Sequence, residues 1–208
     1  MVARDLEYVY VDTGAMYRAV TLKALEAGLD PNDDESVGKL ASRLDIVLLP
    51  GKEGQLVLVN GQDVSPLLRS LDINRTVSYI ARLESVRKLM ADLQRRMALA
   101  KGVVMDGRDI GTHVLPDAEL KVFLTATPRE RAIRRYKELG PEPGITLDQL
   151  EAEIAERDRL DQERQFAPLL RAPDARLIDS TGKSIDEVAE EIVQCGRAVA
   201  RTISTEEK

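Results

Sequence analysis

Val103-Val104-Met105-Asp106-Gly107-Arg108-Asp109-Ile110-Gly111-Thr112 runs from three apolar residues straight into a carboxylate, a glycine, an arginine and a second carboxylate. Two of the apolar residues are β-branched, so the segment reads as a buried strand that delivers charged groups from its carboxyl end. Open α/β sheets place their ligand sites there. An acidic residue directly after an apolar strand also organises magnesium in nucleotide triphosphatases, and a glycine beside it lets a ligand approach the backbone. Taken alone, the same residues also read as a strand-end turn in which Asp106 caps the next segment.

Working outward, Glu7-Tyr8-Val9-Tyr10-Val11-Asp12-Thr13-Gly14 alternates and ends in turn residues, which predicts a strand over 8–11 with Asp12 and Thr13 at its tip. A helix is expected over 15–27, with Met16, Ala19, Val20 and Ala24 on one side and Gly28 as its terminator. Arg18 in its first turn is either ligand-facing or a solvated surface arginine. A short helix over 35–44 precedes two strands, 45–49 and 55–59, around the hairpin loop 50–54, and Asn60-Gly61 turns into another short strand. Helices resume near Ser65 and run to Lys101, broken around Glu84, with Leu83, Val86, Met90, Leu93 and Met97 as the apolar stripe.

On the other side, 120–125 reads as a strand, and Thr127-Pro128-Arg129-Glu130 opens a helix with a capping box and proline at its first position. Strand followed by capped helix is the α/β unit. Lys137 to Gly144 is a Gly/Pro-rich link, and Thr146 with Gln149 caps a charged helix that stops before Pro168. A last strand over 176–178 leads to a helix capped by Ser184 and Glu187. Its expected face is Ile185, Val188, Ala189, Ile192 and Val199, with Cys195 as core filling and a frayed tail from Thr202.

Within the charged helix, Leu150, Ile154, Arg157, Asp161 and Arg164 fall on one face, apolar early and charged late. Such a face points Arg, Asp and Arg at something polar, for which bound phosphate and ribose would serve. A solvated surface laced with ion pairs through Glu156, Asp158, Arg159 and Glu163 is the competing reading.

The 208 residues, 43% of them hydrophobic, suffice for one good core and a smaller satellite domain. No apolar run has membrane-spanning length and no secretory leader is present, so a cytoplasmic location without membrane association is expected. The formal charge of −6 argues against a nucleic-acid polymer as partner. A single His113 and a single cysteine argue against a His/Cys metal cluster.

Tyr10-Val11-Asp12-Thr13-Gly14-Ala15-Met16-Tyr17-Arg18, Met105 to Thr112, Glu156-Arg157-Asp158 with Asp161 and Arg164, Ala167-Pro168-Leu169 and Asp179-Ser180-Thr181 together resemble bacterial cytidylate kinases. The resemblance covers nearly all of residues 6 to 200. It implies an α/β, P-loop NTPase-like nucleoside monophosphate kinase with a parallel sheet. Residues 1–20 and 101–208 would form the core, with a lid at about 137–168, and 21–100 an NMP-binding insertion that includes a small antiparallel hairpin at 45–59. It implies magnesium-dependent phosphoryl transfer from ATP to CMP or dCMP. Ser78, Asp109 and Arg164 would contact the cytosine, and Thr13, Arg18 and Arg108 would lie near the CMP phosphate. Arg157 would arrive with the lid, Asp161 would hold the ribose, and Arg87 would be a further nucleotide-site arginine. Asp106 would organise the metal through water, and Asp12 would orient the acceptor phosphate region. Arg157, Arg108 and Asp106 are the expected catalytic groups, in a site that works by positioning and charge neutralisation.

Cytidylate kinases also carry a strand, a Gly-rich phosphate loop ending in Gly-Lys-Ser/Thr, and a helix ahead of the Tyr-Val-Asp-Thr-Gly strand. Here Met1 to Leu6 resembles the last turns of that helix, and no G-x-x-x-x-G-K-[ST] occurs in the 208 residues. In the family that strand lies between those at 103–106 and 120–125. The chain is therefore expected to be an amino-terminally incomplete cytidylate kinase with doubtful activity, a monomer when complete. The rival reading is a non-catalytic nucleotide-binding or interaction protein derived from the family. Shikimate-type kinases lack the Asp-Gly-Arg-Asp and Arg157/Asp161/Arg164 set.

Overall fold

A computed structural model describes residues 1–51, 54–139 and 144–206. In chain order its elements are α1 (Val2–Asp5), β1 (Val9–Asp12), α2 (Thr13–Glu26), α3 (Asp34–Ala41), β2 (Ile46–Gly51), β3 (Gly54–Val59), β4 (Gln62–Asp63), α4 (Leu71–Ile80), α5 (Glu84–Ala98), β5 (Val103–Asp106), β6 (Val122–Thr125), α6 (Pro128–Leu139), α7 (Leu147–Glu163), β7 (Arg176–Asp179) and α8 (Ile185–Glu206).

Capping chemistry sets most helix starts. Asp12 caps α2 by accepting from the Ala15 amide at 2.8 Å, and so begins that helix at Thr13, two residues earlier than periodicity suggests. Gly28, at φ +65°, takes the left-handed conformation that ends it. Thr146 and Gln149 form a reciprocal capping box, as do Ser184 and Glu187. In the Thr127 motif only one half forms, because Glu130 accepts from Arg134 instead.

Residues 13–97 make a closed body. The antiparallel sheet β2-β3-β4 packs with α2, α3, α4 and α5 around one continuous core. All residues of that core fall between Ala15 and Met97, and Met16, Val20, Val37, Ile80 and Val86 are wholly buried. The hairpin forms a sheet of its own, and the break between α4 and α5 falls at residues 81–83, just before Glu84. Residues 52 and 53 of the expected hairpin loop and 140–143 of the expected Gly/Pro link lie outside the described residues.

The parallel strands behave differently. β1 pairs with β5 in register, Val9 with Val103 through Asp12 with Asp106. β6 pairs with β7, Val122 with Arg176 through Thr125 with Asp179. Among the described residues these two pairs share no ladder, so the sheet is split into two ribbons. Parallel strands are ordinarily covered on both faces. Here Val9, Leu124 and Leu177 are each more than half exposed.

Three expectations for the carboxyl end need correction. Ile185 is 76% exposed, because α8 packs on α1, which at four residues covers little of a 22-residue helix. Cys195 is half-buried rather than core filling and lies 3.2 Å from Arg176 Nη1. The segment from Thr202 continues the helix to Glu206 instead of fraying.

Candidate active site

The in-register pairing of β1 and β5 sets Asp12 and Asp106 side by side at the strand ends. Thr13, buried, donates from Oγ1 to the Asp106 carbonyl at 2.6 Å and stitches the two tips together. Gly107 is required by space, since a Cβ there would stand 2.6 Å from Thr13 Oγ1 and 2.8 Å from Ile110. Arg18 Nη2 pairs with Asp12 Oδ2 at 2.9 Å, which removes the reading of Arg18 as a loose surface arginine. Among the described residues Asp106 has one side-chain hydrogen-bond partner, the Tyr10 hydroxyl, which donates at 3.2 Å. Its pKa is raised, first by desolvation in the crowded cleft and then by the neighbouring Asp12 charge. Burial and the same two carboxylates also raise Tyr10.

Beyond Asp109 the chain makes a π-type turn over Ile110–Val114, with Val114 donating to the Asp109 carbonyl and Leu115 to that of Ile110. Such turns recur at functional sites. Asp109 is turned inward and forms a buried ion pair with Arg87, which also donates to the Ala81 carbonyl at 2.8 Å. Arg164 joins this cluster, its Nη1 3.3 Å from Asp161 Oδ1 and its Nε donating to the Ala167 carbonyl at 2.5 Å. Tyr17 lies against Arg87, and burial pushes its hydroxyl pKa up to about 12. Arg87 Nε, Arg164 Nη2 and Gln94 Oε1 are buried without hydrogen-bond partners. Unpaired buried polar atoms are costly, so these three call for polar partners that the chain itself does not supply among the described residues.

The two faces of α7 differ, the outer one being the expected surface laced with ion pairs. Arg159 pairs outward with Glu156 and Glu163, and Asp158 pairs with Arg131 of α6. The other face carries Asp161, buried and joined to Arg108 Nε at 3.0 Å as well as to Arg164. Arg157 makes no direct ion pair among the described residues. Its side chain is exposed, yet it stands in the mouth of the cleft, where desolvation and then the Arg108 and Arg18 charges lower its pKa. The exposure decides its state: the guanidinium stays charged and free to turn toward an anion.

The structure thus brings Asp12, Thr13, Arg18, Asp106, Arg108, Arg157 and Asp161 together, linked through Arg164 to Arg87 and Asp109. Ser78 is half-buried on α4 and makes no hydrogen bond to that cluster. Sequence reading missed Gln94 and the structural part of Tyr17. The signal was available: Arg87 and Gln94 sit seven residues apart within the apolar stripe of α5, where polar residues have no bland reason to be. It also missed Phe166, which packs edge-on to His113 at 5.0 Å and under Lys88, holding the loop after α7 against the turn that carries Asp109.

The family model for cytidylate kinases matches residues 1–198. This chain belongs to the cytidylate kinase family. It is 50% identical over 194 residues to the cytidylate kinase of Geobacillus kaustophilus, covering 93% of this chain and 87% of that protein. The Bacillus subtilis cytidylate kinase is 48% identical over 196 residues, with the same two shares. That of Alkaliphilus oremlandii is 43% identical over 199 residues, covering 95% and 90%. Membership agrees with the mixed α/β architecture and parallel strand pairs. No helix among the described residues is long and apolar enough to cross a membrane.

Proposed function

We propose that this chain carries the acceptor site of a CMP kinase, an enzyme that transfers the terminal phosphoryl group of ATP to CMP or dCMP to give CDP or dCDP. The observation that carries the reading is the cleft in which Arg18, Arg108 and Arg157 meet at one end and unpartnered atoms of Arg87 and Arg164 flank Asp109 at the other. The first end suits the acceptor phosphate, with Thr13 and Asp12 fixing its floor. The second suits an aminopyrimidine edge, which needs donors and an acceptor together, with Ser78 approaching from α4. Asp161, held between Arg108 and Arg164, is placed for the ribose. Arg157 neutralises charge developing on the transferring group, and no strong general base is needed.

Magnesium fits the strand-end residues. Asp106 is a carboxylate with no ion pair among the described residues, and burial, followed by the neighbouring Asp12 charge, raises its pKa. Asp106 would hold the ion through water, with Asp12 nearby but engaged by Arg18. Bound with ATP, the ion would supply charge neutralisation on the phosphate oxygens.

The donor side calls for one more strand ending in a phosphate-cradling loop and lysine, parallel to and between β5 and β6. The split of the sheet into two ribbons supports this. Adjacent strands lie about 4.8 Å apart, so one strand fills a gap of about 10 Å. The same reading carries a cytoplasmic protein, monomeric once that gap is filled. A binding role without catalysis is the second reading, favoured by the lack of a Gly-Lys-Ser/Thr loop of P-loop spacing in the 208 residues. Turnover separates the two. The 208-residue chain should phosphorylate CMP negligibly, and a fusion adding an apolar strand and such a loop ahead of Met1 should gain at least ~10²–10³ in rate, the scale for one preorganised donor. Arg157→Ala in the fusion should sharply reduce kcat. A well-folded fusion that binds ATP and CMP without turnover would sink the kinase reading.

A further inference from the structure

The two long edges of the β1–β5 ribbon are treated differently. On the outer edge of β1, the Asp12 amide donates to Gln55 Oε1 at 2.9 Å, and Gln55 Nε2 donates to the Tyr10 carbonyl at 2.5 Å. Tyr10 C=O and Asp12 N–H are the two groups that a neighbouring strand would engage, and a side-chain amide carries the same donor and acceptor as a peptide unit. Gln55 therefore does at this edge what one peptide unit of a further strand would do. It belongs to β3, so the link spans more than forty residues of sequence and joins the inserted hairpin to the core.

What it grips matters more than the edge it covers. Asp12 caps α2 and holds Arg18, and the next residue, Thr13, stitches β1 to β5. We propose that Gln55 is a positioning residue for the acceptor-phosphate end of the site, clamping the β1 tip from the hairpin so that Asp12, Thr13 and Arg18 are preorganised. This rests on the CMP reading above. The Arg87–Asp109–Arg164 end makes no hydrogen bond to Gln55 among the described residues and is held by contacts to the Ala81 and Ala167 carbonyls.

Hydrogen exchange and calorimetry on the 208-residue chain test it. In Gln55→Leu, the Asp12 amide should exchange about tenfold faster, the scale of one lost hydrogen bond, while the Val57 and Val59 amides stay protected and report an intact hairpin. CMP affinity should fall about tenfold, whereas cytidine, which lacks the phosphate, should bind both proteins alike. Gln55→Glu keeps the acceptor for Asp12 but loses the donor for Tyr10, and should fall between. Unchanged Asp12 exchange would overturn the clamp. Faster exchange with unaltered CMP affinity, or an equal loss for cytidine, would overturn the positioning role. If the unsubstituted chain binds no CMP, the functional reading fails, and the Asp12 amide still decides whether Gln55 acts as a surrogate strand.

Discussion

Ile80, Val20 and Val86, in the body built from residues 13–97, are wholly buried, whereas Leu124 and Leu177 on the β6–β7 ribbon are each 52% exposed. Both regions are rich in aliphatic residues, so composition does not separate them. Supply of partners does. The buried apolar faces of α2, α4, α5 and the hairpin pack chiefly against one another. The parallel ribbons depend on a neighbour on each side, and between β5 and β6 there is none among the described residues. A closed core and an open sheet therefore coexist in one chain, and the cleft falls on their boundary.

The sharpest way to break this contrast is through the buried ion pair. Arg87→Ala leaves Asp109 charged and unpartnered, and should cost about 3–5 kcal/mol in urea unfolding. Replacing both, Arg87→Met with Asp109→Leu, should restore most of that stability while abolishing CMP binding, on the reading that the cluster holds the nucleotide. A double variant that still binds CMP would remove the cluster from the site. Next in size is truncation. Ile80→Ala should cost about 2–5 kcal/mol through transfer and cavity terms, whereas Leu177→Ala should stay within about 0.5 kcal/mol. Comparable losses at the two positions would mean that the ribbon is as well packed as the insertion.

The smallest effect concerns pH. Asp106 is raised in the folded protein, so the native state holds its proton more tightly than the unfolded chain does. The stability this contributes is fully present below the unfolded pKa of about 3.9 and is lost as pH rises through the higher folded value. Asp106→Asn should therefore stabilise the protein at neutral pH, with the gain shrinking as the solution is acidified through the carboxylate range. A variant whose stability relative to the parent does not change with pH would show that neither burial nor Asp12 raises Asp106 in the folded protein.

Legibility in the sequence followed the range of the interactions. The caps at Thr146 and Ser184, the terminator Gly28 and the hairpin over 45–59 depend on residues a few positions apart, and periodicity placed them closely. The Asp-Gly-Arg-Asp segment was legible because a strand running into charge has few other uses, and the family resemblance gathered the distant arginines around it. What could not be read were contacts set by the assembled geometry. Gln55 on the β1 edge and Phe166 against His113 bridge elements far apart in sequence. Ile185 carried the right periodicity, but a helical pattern cannot say whether anything covers it.

The central claim is that the acceptor site is assembled where the closed body meets β1, β5 and α7, and that CMP binding does not depend on any strand between β5 and β6. Titration of CMP, UMP and AMP into the purified 208-residue chain by calorimetry tests it most directly. CMP should bind with clear preference over both competitors, and Asp109→Ala, checked for folding by exchange, should weaken it by about 1–3 kcal/mol, the scale for hydrogen bonds to a charged group. Equal affinities for the three nucleotides in a folded sample would contradict the account.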